Sequence, residues 1–266
     1  LGENVKRVFT AGANLRFASG GHNHEGNCHF QIDDQHEAAT LSSINGSLIQ
    51  CSSRAPKSVL TVLAGAHVDV NNLEWLGVQE NHPNTDQPQQ QQQQGQQQAQ
   101  QGGFVFATGK STSVSLNHTK VHGFQATDGG AIAIAAAARL TMTHSYLESC
   151  VSQNRGGGIL VESGGAATLW ASAVRDCNAP TGGGVMAEGG ATYLGIGGGS
   201  EIAQCASVLS GGAVKLSDSA TLLVNGSSTI HRNSAGSVGG GVACETQSSF
   251  LMAGSSAVFR NIAFEG

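Results

Sequence analysis

Hydrophobic residues alternate with small or polar ones in short runs that recur along the second half of the chain. Each run follows a glycine pair, as with Ile132 and Ile134 after Gly129, or Val214 and Leu216 after Gly211. A period of two is typical of a strand with one buried face. Each run therefore predicts a short β-strand that begins just after its glycine pair.

The glycine pairs recur at nearly constant spacing. They begin at positions 129, 156, 182, 211 and 239, in steps of 27, 26, 29 and 28 residues, with a further pair at Gly102 and Gly103. Each is followed by a second hydrophobic run, such as ARLTM or ATLLV, and by a third element that ends in Cys or Asn. The third elements are Leu147 to Cys150, Val174 to Cys177, Ile202 to Cys205, Ile230 to Asn233 and Val258 to Asn261. Each unit thus predicts three short strands and no helix.

Units of about 27 residues are too small to enclose a core alone, so they must stack on one another. In-register parallel strands about 4.8 Å apart would achieve this and would align equivalent residues in columns. The glycines then lie at corners, where the backbone needs a positive φ or a close approach. The pattern predicts an all-β fold, a right-handed, single-stranded parallel β-helix with three short strands per coil.

The same motifs resemble the polymorphic outer membrane protein repeat, which pairs GGA-(I/L/V) with Phe-x-x-Asn. The matching motifs are GGAI, GGAV and three GGG-(I/V) variants, with IHRN and VFRN in the second slot, over residues 102–266. No unit has Phe at the first place of that slot, and three have Cys in place of Asn. More broadly, the chain is similar to pectin-lyase-like β-helices. These families include enzymes, adhesins and structural proteins, so the resemblance implies the fold and not an activity.

We expect four segments along the chain. Residues 1–46 form an irregular entrance, 47–86 the first coil or coils, 87–101 a glutamine-rich insertion loop, and 102–266 the regular coils. The run VLTVLAGAHVDVNNLEWLG looks like an early coil, with strands at 59–63 and 67–70. Because the chain opens with neither Met nor a signal-peptide core, we expect an internal piece or a mature form. The coils are expected to continue beyond 266.

Composition and three sequons predict the location. Charged residues make up 12% of the chain and its net charge is −5, which argues against nucleic acid as a partner. No apolar run reaches the roughly 18 residues that span a bilayer, so no direct membrane insertion is expected. N-glycosylation sequons begin at Asn45, Asn117 and Asn225. We therefore expect an extracellular or cell-surface glycoprotein, for instance in the extracellular matrix or on a ciliary surface.

Three of the six cysteines occupy one slot of successive coils, Cys150, Cys177 and Cys205. Their Cα atoms should lie about 4.8 Å apart, within the disulfide range, but three cannot all pair with one another. The alternative is a stack of buried thiols that continues into Asn233 and Asn261, whose side chains would hydrogen-bond along the column. The remaining prediction is a disulfide between Cys28 and Cys51.

The segment GGHNHEGNCHF contains ligand types that zinc prefers, in His22, His24, Cys28 and His29. Their spacing matches no paired-ligand pattern, so the alternatives are a metal site and a polar loop near the entrance, and we favour the loop. We expect no cofactor, since GFVFATGKS has the wrong spacing for a phosphate-binding loop.

The columns just before the Cys/Asn slot contain no stack of acids that would serve catalysis. We therefore expect a non-enzymatic module with a structural, adhesive or assembly role, bound to other domains or subunits of a larger surface assembly. The alternative is a carbohydrate-binding or polysaccharide-degrading module, with glycans as partners. Its aromatic contacts would be Trp170 and Tyr193 in adjacent coils, with Trp75 as a further ring.

Overall fold

The computed structural model describes residues 6–8, 13–17, 29–32, 38–52, 58–78 and 101–264, and within them every regular element is a β-strand. In chain order the strands are β1 Lys6–Val8, β2 Ala13–Phe17, β3 His29–Ile32, β4 Ala38–Ser52, β5 Leu60–Leu63, β6 His67–Val78, β7 Val105–Thr108, β8 Ser113–Asn117, β9 Lys120–His122, β10 Gln125–Asp128, β11 Ile132–Ala135, β12 Arg139–Thr143, β13 Tyr146–Glu148, β14 Val151–Arg155, β15 Ile159–Glu162, β16 Ala166–Trp170, β17 Ala173–Arg175, β18 Asn178–Thr181, β19 Val185–Glu188, β20 Tyr193–Gly197, β21 Glu201–Ala203, β22 Ala206–Ser210, β23 Val214–Ser217, β24 Thr221–Val224, β25 Thr229–His231, β26 Ser234–Ala235, β27 Val242–Cys244, β28 Ser249–Met252, β29 Ala257–Phe259 and β30 Ile262–Ala263.

The strands of successive coils stack on one another in parallel sheets. One sheet follows the order β1-β3-β5-β7-β11-β15-β19-β23-β27, and a second follows β10-β14-β18-β22-β26-β30. The third has two arms that meet at the long strand β6, since β6 pairs with both β8 and β9. The arrangement is a parallel β-solenoid of about 7 turns of roughly 28 residues, which confirms the predicted right-handed β-helix.

Each regular coil has four strands where the sequence predicts three. The additional strand follows the Cys/Asn slot, as in β14 (VSQNR) and β18 (NAPT). These segments are polar and lack hydrophobic alternation, so the period gives no signal for them. Their pairing register shifts between neighbouring coils, so these strands absorb differences in coil length as small bulges.

Strands also occur within the first 46 residues, where the sequence analysis expects an irregular entrance. Strands β2 and β4 pair with each other, and β4 pairs with β6 of the next coil. The strands expected at 59–63 and 67–70 are present as β5 and the first part of β6. Gln101, the last residue of the predicted glutamine-rich loop, forms a parallel bridge with Asp128. The rest of that loop, residues 87–100, lies outside the described part of the chain.

The core lies inside the coil and consists of columns of equivalent side chains. Ile132, Ile159, Val185 and Val214 stand in register on successive strands and are fully buried. Such stacking removes each apolar side chain from water only when a neighbouring coil covers it. Where the glutamine-rich segment interrupts the array, the interior is filled by the packed rings of Trp75, Phe104 and Phe124.

The two glycines of each pair are required for different geometric reasons. The first glycine of each pair adopts a left-handed conformation, with φ from 61° to 68° in the five regular coils. The second allows close contact between backbones, since a Cβ on Gly157 would lie 2.1 Å from the carbonyl oxygen of Gly183. A side chain at either position therefore conflicts with the fold.

Candidate functional site

The cysteine column lies inside the coil. Cys150, Cys177 and Cys205 are buried thiols in the structure. Each Sγ lies close to the carbonyl oxygen two residues earlier, on Glu148 (3.2 Å), Arg175 (3.2 Å) and Ala203 (3.3 Å). Equivalent residues of stacked coils have parallel Cα–Cβ bonds, so their Cβ atoms are also about 4.8 Å apart, beyond the roughly 3.5–4.5 Å that a disulfide prefers.

The environment of these thiols disfavours reactivity. A side-chain hydrogen bond with Cys177, and then burial, raises the pKa of Cys150 well above its ordinary value. For Cys177, the hydrogen bond with Cys150 lowers the pKa, but the one with Cys205 and burial outweigh it, so the net shift is well upward. Because the thiolate is the nucleophilic form, this column is a packing feature of the core.

The same column continues as a hydrogen-bonded asparagine ladder. Asn233 Oδ1 accepts from the Cys205 amide at 2.9 Å, and Asn233 Nδ2 donates to Asn261 Oδ1 at 2.9 Å. Asn233 Nδ2 also reaches the carbonyl oxygens of Ile202 (3.1 Å) and His231 (3.0 Å). The side chain thus satisfies polar backbone groups at a buried corner.

Several predicted site residues lie outside the described part of the chain. They are His22, His24, Cys28 and the side chains of His29, Asn45 and Cys51. The metal alternative and the Cys28–Cys51 disulfide therefore stay predictions. Among the described residues, no group of three or more His, Cys, Asp or Glu side chains is arranged to hold a metal ion.

The tryptophans differ sharply in environment. Trp75 is 0% exposed and belongs to the core, so it is not available as a surface ring, whereas Trp170 is 52% exposed and Tyr193 36%. The register pairs Trp170 with Gly197 and Tyr193 with Ala166. Trp170, on β16, therefore lies beside the end of β20, whereas Tyr193 lies at its start, so the two residues are not side by side.

A glycine shelf on β20 supports both exposed rings. Outward positions 195 and 197 of this strand are glycines. A Cβ on Gly195 would lie 3.0 Å from the Tyr193 ring, and one on Gly197 would lie 3.1 Å from the Trp170 indole. Each aromatic side chain thus covers a strand backbone that has no side chain of its own. This arrangement, here called the glycine shelf (Trp170, Tyr193, Gly195, Gly197), presents aromatic surface to solvent.

A polar groove of about 340 Å³ lies on the outer face of β6, β9 and β13. Its lining residues are Glu74, Lys120, Val121, His122, Tyr146 and Glu148. His122 Nε2 lies 3.2 Å from Glu74 Oε1. Glu74 lies before the glutamine-rich segment and Lys120 after it, so the repeat spacing alone does not reveal that the two are neighbours in the register.

A second charged cluster surrounds Arg155 at the glycine corner. Its guanidinium contacts Asp128 (3.0 Å), Glu162 (3.5 Å) and Glu188. Burial raises the pKa of Glu162; Arg155 opposes this and Glu188 adds to it. The cluster was not predicted from the sequence, although Glu162 and Glu188 both stand six residues after the first glycine of their units. Aligning every repeat position, and not only the third element, would have revealed the pair.

The outer end of the last coil exposes apolar side chains. Phe250, Met252 and Val258 are 36–52% exposed, although their register partners Leu222, Val224 and Ile230 are fully buried. We call the group of Phe250, Met252 and Val258 the terminal face. The three side chains occupy core columns that no further coil covers within the described residues.

Comparisons with known proteins do not assign a site to this geometry. No family model, no curated protein and no solved structure matches the chain. Among the described residues, there is no helix with the length and hydrophobicity that a membrane crossing requires.

Proposed function

We propose that this chain is a non-enzymatic β-solenoid module of an extracellular or cell-surface assembly, in which it has a structural or adhesive role. The supporting observation is the terminal face, where three core columns end in exposed apolar side chains. A further parallel β-layer, from more coils, another domain or another subunit, would continue those columns and bury them. Burial of apolar area contributes roughly 25 cal/mol per Å², so covering the face favours assembly.

The strands around this face support the same role. Within the described part of the chain, strands β27 to β30 each have a neighbouring strand on one side only. Unpaired backbone groups on an open sheet edge readily accept another strand. A partner that adds strands in parallel would satisfy both the backbone and the side chains of the last coil.

Two substitutions on one strand test this proposal. Met252 faces inward at the terminal face and is 52% exposed, whereas Leu251 faces outward on the same strand and is 53% exposed. We expect the wild-type chain to associate in a concentration-dependent manner in sedimentation velocity. Met252→Lys should shift it toward the monomer, because the ammonium group would have to be buried, while Leu251→Lys leaves association unchanged.

Two results would count against the proposal. One is a wild-type chain that stays monomeric at every concentration and melts in a single sharp transition. The other is an equal effect of both lysine variants, which would indicate a general effect of charge. Thermal unfolding of each variant checks that the last coil is still folded.

A carbohydrate-binding role is the second candidate, and the glycine shelf favours it. Exposed aromatic rings that lie against bare backbone offer the apolar faces on which sugar rings stack, with the Trp Nε1–H and Tyr hydroxyl as polar groups at their edges. This role predicts that soluble oligosaccharides quench or shift the fluorescence of Trp170 and that Trp170→Ala abolishes the response.

A further inference from the structure

One outward column joins two sequons to the exposed tryptophan. Asn117, Thr143, Trp170 and Gly197 stand in register on successive strands of the third sheet. Asn225 continues the column, since its backbone N–H donates to the carbonyl oxygen of Ile196 in the coil before it. Trp170 therefore lies between the two sequons on one face.

The indole and the Asn225 side chain meet above the same glycine. A Cβ on Gly197 would lie 2.6 Å from Asn225 Oδ1 and 3.1 Å from Cε3 and Cζ3 of Trp170. The indole also extends over Gly198, where a Cβ would lie 2.5 Å from Cε2. A group attached to the Asn225 side chain thus begins close to an exposed indole.

The two described sequons differ in their surroundings. At Asn117, Oδ1 lies 3.0 Å from Nδ1 of His118, and the Thr119 hydroxyl is buried, donating to the carbonyl of Val70. No hydrogen bond within the described part of the chain engages the Asn225 side chain. The next two residues, Gly226 and Ser227, are exposed and left-handed, with φ of 60° and 63°. Asn225 therefore lies at the start of an exposed turn.

We propose that Asn225 carries an N-glycan whose first N-acetylhexosamine packs against the indole of Trp170 on the glycine shelf. In the transfer step, Asn225 Nδ2 attacks C1 of the sugar of a polyisoprenyl-diphosphate oligosaccharide. The Nδ2–C1 bond forms, the C1–O bond to phosphate breaks, the lipid diphosphate leaves, and Nδ2 loses a proton. The apolar face of the hexosamine then covers the indole, as in other contacts between sugars and aromatic rings. This inference depends on the proposed extracellular location.

Site occupancy in the protein isolated from the cells that make it is the first test. Enzymatic deglycosylation converts each glycosylated Asn to Asp. Peptide mass spectrometry then determines the glycan occupancy of Asn45, Asn117 and Asn225 separately. Occupancy at Asn225 supports the inference. An unmodified Asn225 with a glycan at Asn117 or Asn45 overturns it and leaves the extracellular location standing. If all three are unmodified, the inference is wrong, and so is the expectation of a glycoprotein.

Quenching of tryptophan fluorescence by acrylamide is the second test, on the chain secreted by eukaryotic cells. Only Trp170 should respond, because the other tryptophan, Trp75, is fully buried. With the glycan, we expect a quenching constant about twofold lower than after its removal, since one ring face is covered. Asn225→Gln should have the same quenching constant as the deglycosylated protein. Asn117→Gln is the matched control and should have the quenching constant of the wild type.

A free saccharide would offer the same chemistry to Trp170, and the same variants distinguish the two sources. If the attached glycan occupies the shelf, added chitooligosaccharides change Trp170 fluorescence only in Asn225→Gln or after deglycosylation. An equal response with the Asn225 glycan present, or a quenching constant that does not depend on it, overturns the inference. Neither outcome bears on the terminal face, which is tested separately by sedimentation.

Discussion

At the scale of single residues, the buried corners depend on side chains that replace backbone hydrogen-bond partners. Asn233 is the clearest example, because its amide group satisfies the Cys205 amide hydrogen and the carbonyls of Ile202 and His231. A buried polar group without a partner costs about 1–3 kcal/mol. The asparagine slot of the repeat is therefore a structural requirement where it is covered on both sides.

Asn233→Ala should lower the free energy of unfolding by about 3 kcal/mol, since several buried backbone groups lose their partner at once. Asn261→Ala is the comparison: it removes the acceptor of Asn233 N–H and Nδ2, but at a corner that is only half-buried, where water can replace the amide. We expect about 1 kcal/mol there. Urea unfolding measures both, and equal losses would show that burial of the corner does not determine the cost.

Glu162 predicts a pH dependence of stability. Its pKa in the folded state is raised, first by burial. The unfolded chain therefore releases this proton at lower pH than the folded chain does, and stability falls as the pH rises between the two pKa values. Glu162→Gln cannot ionise, so the melting temperature of the variant relative to wild type should increase from pH 4 to pH 7.

Melting curves of both proteins across that pH range check this prediction. The neighbouring groups Asp128, Arg155 and Glu188 are the same in both proteins, so the difference between the curves isolates residue 162. A difference that is constant with pH, or that becomes less favourable to the variant at pH 7, would contradict the assignment.

At the scale of the elements, the corners determine how coils stack. Gly157→Ala would place a Cβ 2.1 Å from the carbonyl oxygen of Gly183 and 2.6 Å from the backbone of Asn178. Because backbone lies on both sides, no side-chain rearrangement can relieve the clash. We expect a loss of about 3 kcal/mol or more in the free energy of unfolding.

Gly190→Ala is the control for that substitution. A Cβ there meets nothing within 4 Å, and its φ is not positive. It should stabilise the chain by about 0.5 kcal/mol through the unfolded state. Chemical denaturation compares the two, and similar values would show that the second glycine of the pair is not needed for backbone contact.

The glycine pairs and hydrophobic alternation were sufficient to predict the coil and the register of its main strands, because both have a fixed steric cause. The other corners were not predictable in this way. They use left-handed residues such as Ser149 (φ 55°), Asp176 (φ 52°) and Arg232 (φ 56°), whose side chains carry no consistent signal. The fourth strand was missed because it depends on pairing with its neighbours and not on its own composition.

At the scale of the whole molecule, prediction of sites was less complete than prediction of the fold. Trp170 and Tyr193 were identified as surface rings, but their common support on β20 depends on glycines that the sequence analysis treated only as part of the repeat. The groove around Glu74 and Lys120 brings together residues from both sides of the glutamine-rich segment. Such contacts follow from the stacking register, which the interrupted repeat does not give.

The terminal face is the feature that connects the fold to the proposed role. A solenoid buries each coil only by adding the next, so a coil with one side uncovered is the least stable and the most able to bind. Its inward side chains and open strand edges act together, since a partner that covers Phe250 and Met252 also lies beside β28. This coupling predicts that association protects backbone as well as side chains.

Hydrogen–deuterium exchange of β28 at low and high protein concentration tests this central claim most directly. Alternate amides of the strand point away from β24, and association through the terminal face should slow their exchange as concentration rises. Val185–Glu188 in the interior should be protected equally at both concentrations, and Met252→Lys should remove the concentration dependence. Exchange of residues 249–252 that stays fast and independent of concentration, while the chain sediments as an oligomer, would contradict the account.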